Sequence, residues 1–218
     1  MSAKAILATV LFLGAILVIP VFAAEQADLK PIQLPAPQKD GGRPLMQVLN
    51  DRHSTRDFDS RMLTDQMLSD LLWAAFGVNR PDAGKRTAPS AMNWQEIDIY
   101  VALAGGLYLY DAKANQLKPV LSGDIRAKAG TQPFVKDAPV NLIYVADYAK
   151  AKGTDAEKDF LCAADAGFVA ENAYLYCASA GLATVIRASI DRPVLAKIMK
   201  LRSDQKIMLA QTVGYPKK

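Results

Sequence analysis

An α+β fold, a mostly antiparallel sheet packed by helices, follows from three features of this 218-residue chain. Ile97, Ile99, Val101 and Leu103 alternate with period two, as in a strand with one face on a core. Residues 106–111 and 116–119 read as the arms of a hairpin joined by residues 112–115. Residues 155–180 carry Leu161, Phe168, Val169, Ala173 and Cys177 at helical spacing, with apolar character on more than one face.

Taken in order, the chain opens with Lys4 and an uncharged apolar run, residues 5–23, ending in Val21-Phe22-Ala23-Ala24. A basic start, a hydrophobic middle and a small-residue cleavage site make a secretory signal peptide over residues 1–23, so export to the periplasm is expected. A run of roughly 20 apolar residues also spans a bilayer, so an uncleaved membrane anchor through residues 5–23 is the alternative. Residues 24–43, with Pro31, Pro35, Pro37 and Gly41-Gly42, read as an extended arm or linker, and residues 44–218 as one domain.

The 26 basic residues against 22 acidic are scattered, which argues against a nucleic-acid partner. One histidine and two cysteines make a zinc or other transition-metal site improbable. Cys162 and Cys177 fall on one expected helix. At about 1.5 Å per residue they stand more than ~20 Å apart, so they are expected to remain unbridged.

Pro44 suits the first turn of a helix carrying Leu45, Met46, Val48 and Leu49. Where it gives out stands Arg52-His53-Ser54-Thr55-Arg56-Asp57-Phe58. Two guanidinium forks, a hydroxyl and an imidazole within five residues suit a phosphate monoester, although on composition alone a solvated basic turn is the commoner reading. Thr64 can cap a helix through Leu68, Leu71, Leu72 and Ala75 that Gly77 ends. Residues 79–88 lack periodicity and read as a loop.

Pro89-Ser90-Ala91-Met92-Asn93-Trp94-Gln95 can offer amides and carbonyls to the edge of a planar ring, or can be merely a cap and an exposed turn. Residues 122–137 read as a polar loop with Arg126 and Lys128 as accessory cations, and residues 138–148 as a strand buried on both faces. Gly181 ends the long helix and a strand follows. Asp191 caps a short helix through Leu201, residues 206–214 form a last strand, and Lys217 and Lys218 close the chain.

Arg-His-Ser-Thr-Arg-x-Phe resembles the opening motif of the nitroreductase-like FMN-dependent oxidoreductases. Pro-Ser-x-x-Asn-x-Gln, and Asp165-Ala166-Gly167 with Ala170-Glu171-Asn172, are similar to two further segments of that family, so the resemblance runs over residues 43–216. The Gly-Leu-Tyr-x-Tyr-Asp hairpin resembles the branch of thiazole/oxazole-forming dehydrogenases most.

The resemblance implies the FMN-dependent nitroreductase fold as an intertwined homodimer with FMN at its interface. It implies the phosphate on Arg52, Ser54 and Arg56, with His53 inside the motif. It places the ring edge near Pro89, Ser90 and Asn93, flavin N5 against a backbone N–H of Ala188 or Ser189, and Lys217 as the last phosphate contact. The implied activity is hydride transfer from NAD(P)H to a small aromatic, nitro or quinone-type acceptor. Dehydrogenation of a modified peptide or small heterocycle is one alternative, and an exported non-catalytic module that has lost the flavin is another. The flavin carries the chemistry, so no acid or base residue is named. Arg187 departs from the family pattern and is expected to change the polarity of the pocket.

Overall fold

The structure is a computed structural model describing residues 29–218; the segment expected as an export signal and the first residues of the arm lie outside the described residues. In chain order the elements are β1 (Ile32–Gln33), α1 (Leu45–Asp51), β2 (Phe58–Asp59), α2 (Asp65–Phe76), β3 (Val78–Arg80), β4 (Lys85–Arg86) and β5 (Ile97–Leu103). They continue with β6 (Gly106–Asp111), β7 (Gln116–Ser122), β8 (Val140–Asp147), α3 (Asp155–Ala180), β9 (Ala183–Arg187), α4 (Arg192–Met199) and β10 (Gln205–Pro216). Eight strands form one sheet in the order β1-β7-β6-β5-β8-β10-β2, with β9 also on β10, and every pairing in it is antiparallel. The α+β expectation holds.

The helix ends follow local chemistry. The Thr64 hydroxyl accepts the Met67 N–H at 3.2 Å, and at Gly77 any Cβ would meet Trp73 at 2.3 Å. Thr154 and Glu157 form a reciprocal capping box at the start of α3, and Gly181 ends it in the left-handed region at φ 69°. The α4 helix stops at Met199, two residues before the expected end, because Lys200 turns left-handed at φ 54°.

The core has two sides. Ile97, Ile99, Val101, Leu142 and Tyr144 face α2 and α3, whereas Tyr100, Ala102, Ile143 and Val145 face α4 and the loop around Ile125. All eight residues of β8 are buried, which is why it reads as a continuous apolar run. Cys162 and Cys177 are buried and unbridged.

Two expectations need correction. Residues 79–88 are not simply a loop: they contain the β3–β4 ribbon, in which Val78 pairs with Arg86. The described part of the arm is extended but is not a loose linker. Its β1 pairs with β7, Leu34 is buried, Ser69 Oγ donates to Pro35 C=O at 2.6 Å, and Asp70 accepts the Gln38 N–H at 2.7 Å.

Candidate functional site

At the end of α1 the chain turns extended at Arg52 and runs along the outer edge of β9, where Thr55 N–H donates to Thr184 C=O at 2.9 Å. Tyr174 of α3 occupies the next position on that edge. Its hydroxyl accepts the Ile186 N–H at 2.9 Å and lies 2.8 Å from Ser54 Oγ. Either hydroxyl can donate in this pair, and whichever does, the tyrosine fixes Ser54 Oγ at the edge of β9.

The Arg52 guanidinium lies over the Tyr174 ring, 5.3 Å from its centroid. His53 Nδ1–H donates to Asp51 C=O at 2.7 Å, so the other ring nitrogen faces outward. Asp51 is paired with Arg43, which holds its carboxyl below the usual range. Among the described residues, no carboxylate lies within ion-pair range of Arg52, Arg56 or Lys217. Lys217 reaches the same place because Pro216 pairs with Phe58 and Lys217 N–H donates to Asp57 C=O at 3.2 Å. A recess of roughly 230 Å³ lies beside the motif, bordered by His53, Thr55, Tyr174 and Thr184.

Ala188 and Ser189 continue directly from β9, so they stand further along the same edge. Their carbonyls are tied down: Ala188 C=O accepts from Ile190 N–H at 2.9 Å and from Arg192 at 3.2 Å, and Ser189 C=O accepts from Thr131 N–H at 3.0 Å.

Arg187 does not alter the polarity of this edge. It is 3% exposed and turns to the sheet face away from α3. There its guanidinium donates to Thr212 Oγ1 at 2.9 Å, Ala129 C=O at 3.0 Å and Asn141 Oδ1 at 3.0 Å. No acid accompanies it among the described residues, and burial lowers its pKa to about 10. Thr184 and Ile186 face α3 and Arg187 faces the other way, because strand side chains alternate. Arg126, expected as an accessory cation, is bound to Asp124 at 2.7 Å and to Ala138 C=O at 3.1 Å, so it braces its own loop.

Pro89, Ser90 and Asn93 lie elsewhere. Asp165 Oδ2 accepts the Ala91 N–H at 2.7 Å, Ser90 Oγ accepts the Gln95 N–H at 3.0 Å, and Gln95 Nε2 donates to Asn93 Oδ1 at 3.2 Å. Met92, Asn93 and Gln95 all have positive φ, 48°, 56° and 51°. Asp165 and Tyr174, which anchor the two groups, are nine residues apart on α3. Nine helical residues rise about 13 Å and make two and a half turns, so the anchors are on opposite flanks. Between the flanks runs an exposed stripe carrying Phe160 and Phe168, 74% and 49% exposed. Leu45 and Met46 of α1 are also exposed.

Sequence reasoning missed Tyr174, which looks like one more core aromatic of α3, and it missed the contact of Glu96, the residue just before β5, with Asp165 of α3. Only the buried setting reveals either.

Residues 49–215 match the nitroreductase family. A Methanocaldococcus jannaschii protein named as a nitroreductase is 30% identical over 169 residues, covering 72% of this chain and 85% of that protein. A crystal structure of a Ralstonia eutropha JMP134 protein titled as a nitroreductase superposes with a TM-score of 0.82 at 45% identity. That match covers 86% of this chain and 90% of the other. A Desulfovibrio desulfuricans protein of that title, crystallised with FMN, shares the fold at 18% identity and a TM-score of 0.61, over 82% of this chain and 89% of its own. This chain belongs to the nitroreductase family.

Proposed function

We propose that this protein is an FMN-dependent oxidoreductase that passes hydride from NADH or NADPH to a small aromatic, nitro or quinone-type acceptor, working as a homodimer. One observation carries the reading: Arg52 and Arg56, neither with an acid partner among the described residues, flank in the chain a serine that is held on the buried Tyr174 hydroxyl at the outer edge of β9. A dianionic phosphate satisfies such a donor set, whereas an ordinary basic surface turn has no reason to hold its serine on a buried tyrosine. The FMN complex of the Desulfovibrio relative supports the same cofactor.

In this reading Arg52, Ser54, Arg56 and Lys217 hold the phosphate, with His53 at its margin. The backbone at Ala188 and Ser189 lies along the ring, and Pro89, Ser90 and Asn93 meet the ring edge. Bound FMN supplies two-electron chemistry, accepting a hydride equivalent from one partner and releasing it to another. The chain's own part is to fix the phosphate, exclude water from the ring and aim polar groups at its rim.

The two groups occupy opposite flanks of α3, so a flavin held by both needs the Asn93 turn of a second copy. The apolar stripe between them is the surface on which that copy docks. Dehydrogenation of a heterocycle on the same site is the second reading, favoured by the β6–β7 hairpin sequence.

The test is flavin content. Purified protein is expected to carry a flavin absorption spectrum, to bind FMN far more tightly than riboflavin, and to bleach anaerobically on addition of NADH or NADPH. Colourless protein that takes up no added FMN refutes the reading, while bleaching by a heterocycle and not by either nicotinamide selects the dehydrogenase. Phe168→Glu is expected to shift a sedimenting dimer toward monomer; an unchanged dimer removes this stripe as the interface.

A further inference from the structure

Glu96 is the first residue beyond the Pro89–Gln95 turn, and its side chain is fully buried between β5 and α3. Among the described residues, neither of its carboxyl oxygens has a hydrogen-bond donor. The ionisable groups facing it both come from α3: Asp165, 3% exposed, and the thiol of Cys162, fully buried. No cation reaches either carboxyl group among the described residues. Two ionised carboxylates in contact with no donor between them are unsustainable in a buried site, but a single shared proton turns the contact into a strong hydrogen bond.

Asp165 already uses one oxygen to accept the Ala91 N–H at 2.7 Å, at the head of the turn. That turn holds three non-glycine residues at positive φ within four positions, so its conformation is set by its attachments and not by its own preference. We propose that Glu96 and Asp165 share one proton and together act as a positioning pair that fastens the Ser90–Gln95 turn, making the presentation of Asn93 dependent on pH. The consequence for flavin rests on the function proposed above; the fastening itself does not.

Burial first, and the Asp165 charge after it, push the Glu96 carboxyl up to about 7, and burial and the Glu96 charge push the Cys162 thiol up to about 12. The thiol therefore stays protonated while Glu96 titrates. Below neutrality the proton joins the carboxyls and the turn is held. As pH rises through the Glu96 titration the proton leaves, the two charges repel, and the hold on Ala91 loosens. Glu96→Gln replaces the proton with a permanent amide donor to Asp165, so it removes the pH dependence without removing the contact.

The experiment follows the Ala91 and Asn93 amide resonances of the protein with no added flavin, from about pH 5.5 to pH 9. The wild-type amides are expected to titrate together with one midpoint near neutrality, and in Glu96→Gln both are expected to stay still. Wild-type amides that do not move overturn the proposal, as do amides that titrate identically in the variant. The wild-type titration stands alone if the variant does not fold. FMN affinity measured over the same range then tests the link to function. The wild-type dissociation constant is expected to rise by up to about tenfold per pH unit above the midpoint, relative to the variant. Titrating amides with no change in that ratio leave the fastening intact and refute the assignment of Asn93 to the flavin.

Discussion

Gly130→Ala tests whether the buried Arg187 guanidinium is locked in place. A Cβ built at Gly130 would lie 1.8 Å from Arg187 Nη1, 3.0 Å from its Cζ and 3.3 Å from Ser189 C=O. The far end of an arginine ordinarily moves aside at little cost. This one is 3% exposed and bound by Thr212, Ala129 and Asn141, so displacement breaks at least the bond to Ala129. Losing one charge-assisted hydrogen bond in a buried site costs about 1.5–3 kcal/mol. Loss of unfolded-state freedom in alanine returns about 0.4–1 kcal/mol, leaving a net destabilisation of about 0.5–2.6 kcal/mol.

In an Arg187→Met background the same Gly130→Ala change meets no fixed group and is expected to be neutral to slightly stabilising. Arg187→Met alone is expected to be mild. It leaves the Ala129 carbonyl unpaired, but it also removes a charge whose burial lowers its pKa from 12.5 to about 10. That shift corresponds to roughly 3 kcal/mol at 1.36 kcal/mol per unit, and the two effects oppose one another. Urea unfolding of all four proteins at one protein concentration gives the coupling energy, expected to be at least about 1.5 kcal/mol. A Gly130→Ala effect of equal size in both backgrounds refutes the lock.

Tyr174→Phe removes the acceptor of the Ile186 N–H and the partner of Ser54, and is expected to destabilise the fold by about 1–3 kcal/mol and to weaken FMN binding, read by urea unfolding and by flavin fluorescence quenching. Arg52→Ala and Arg56→Ala are each expected to weaken FMN by about 1.5–3 kcal/mol while leaving riboflavin binding nearly unchanged; equal losses for both ligands would exclude a phosphate contact. Glu96 has a folded pKa raised from 4.5 to about 7, so the stability it contributes is full below the lower value and is lost as pH climbs through the upper one. Thermal unfolding of Glu96→Gln should therefore match the wild type near pH 4.5 and exceed it above pH 7, by at most roughly 3 kcal/mol.

The elements that the sequence made legible are those whose signals are local. The period-two run of β5, the hairpin β6–β7 and the bounds of α3 at Asp155 and Ala180 each rest on contacts within a few residues, including the Thr154 cap and the left-handed Gly181. The β3–β4 ribbon was hidden because its strands are two and three residues long, too short to show any alternation. The docking of residues 29–43 was hidden for a related reason. Proline and glycine announce an extended chain, but the groups that pin it, Ser69, Asp70 and Asn115, belong to α2 and to the β6–β7 turn.

The candidate site divides along the same line. Arg52, Ser54 and Arg56 were visible because they stand together in the chain. What the side chains face was not visible, since it depends on strand parity and helix phase. Arg187 shows the first: one position earlier on β9 it would point to the α3 side, beside Tyr174, and here it is a buried brace. Glu96 shows the second. It reaches Asp165 only because that residue falls on the flank of α3 nearest β5, while Tyr174, two and a half turns on, falls on the flank nearest β9. A motif in this chain therefore names which donors are available, and the phase of α3 decides on which flank they stand. Moving Asp165 by one position would turn it about 100° around the helix. That would free the Ala91 N–H and leave the Ser90–Gln95 turn without its fastening, although the motif itself would be unaltered.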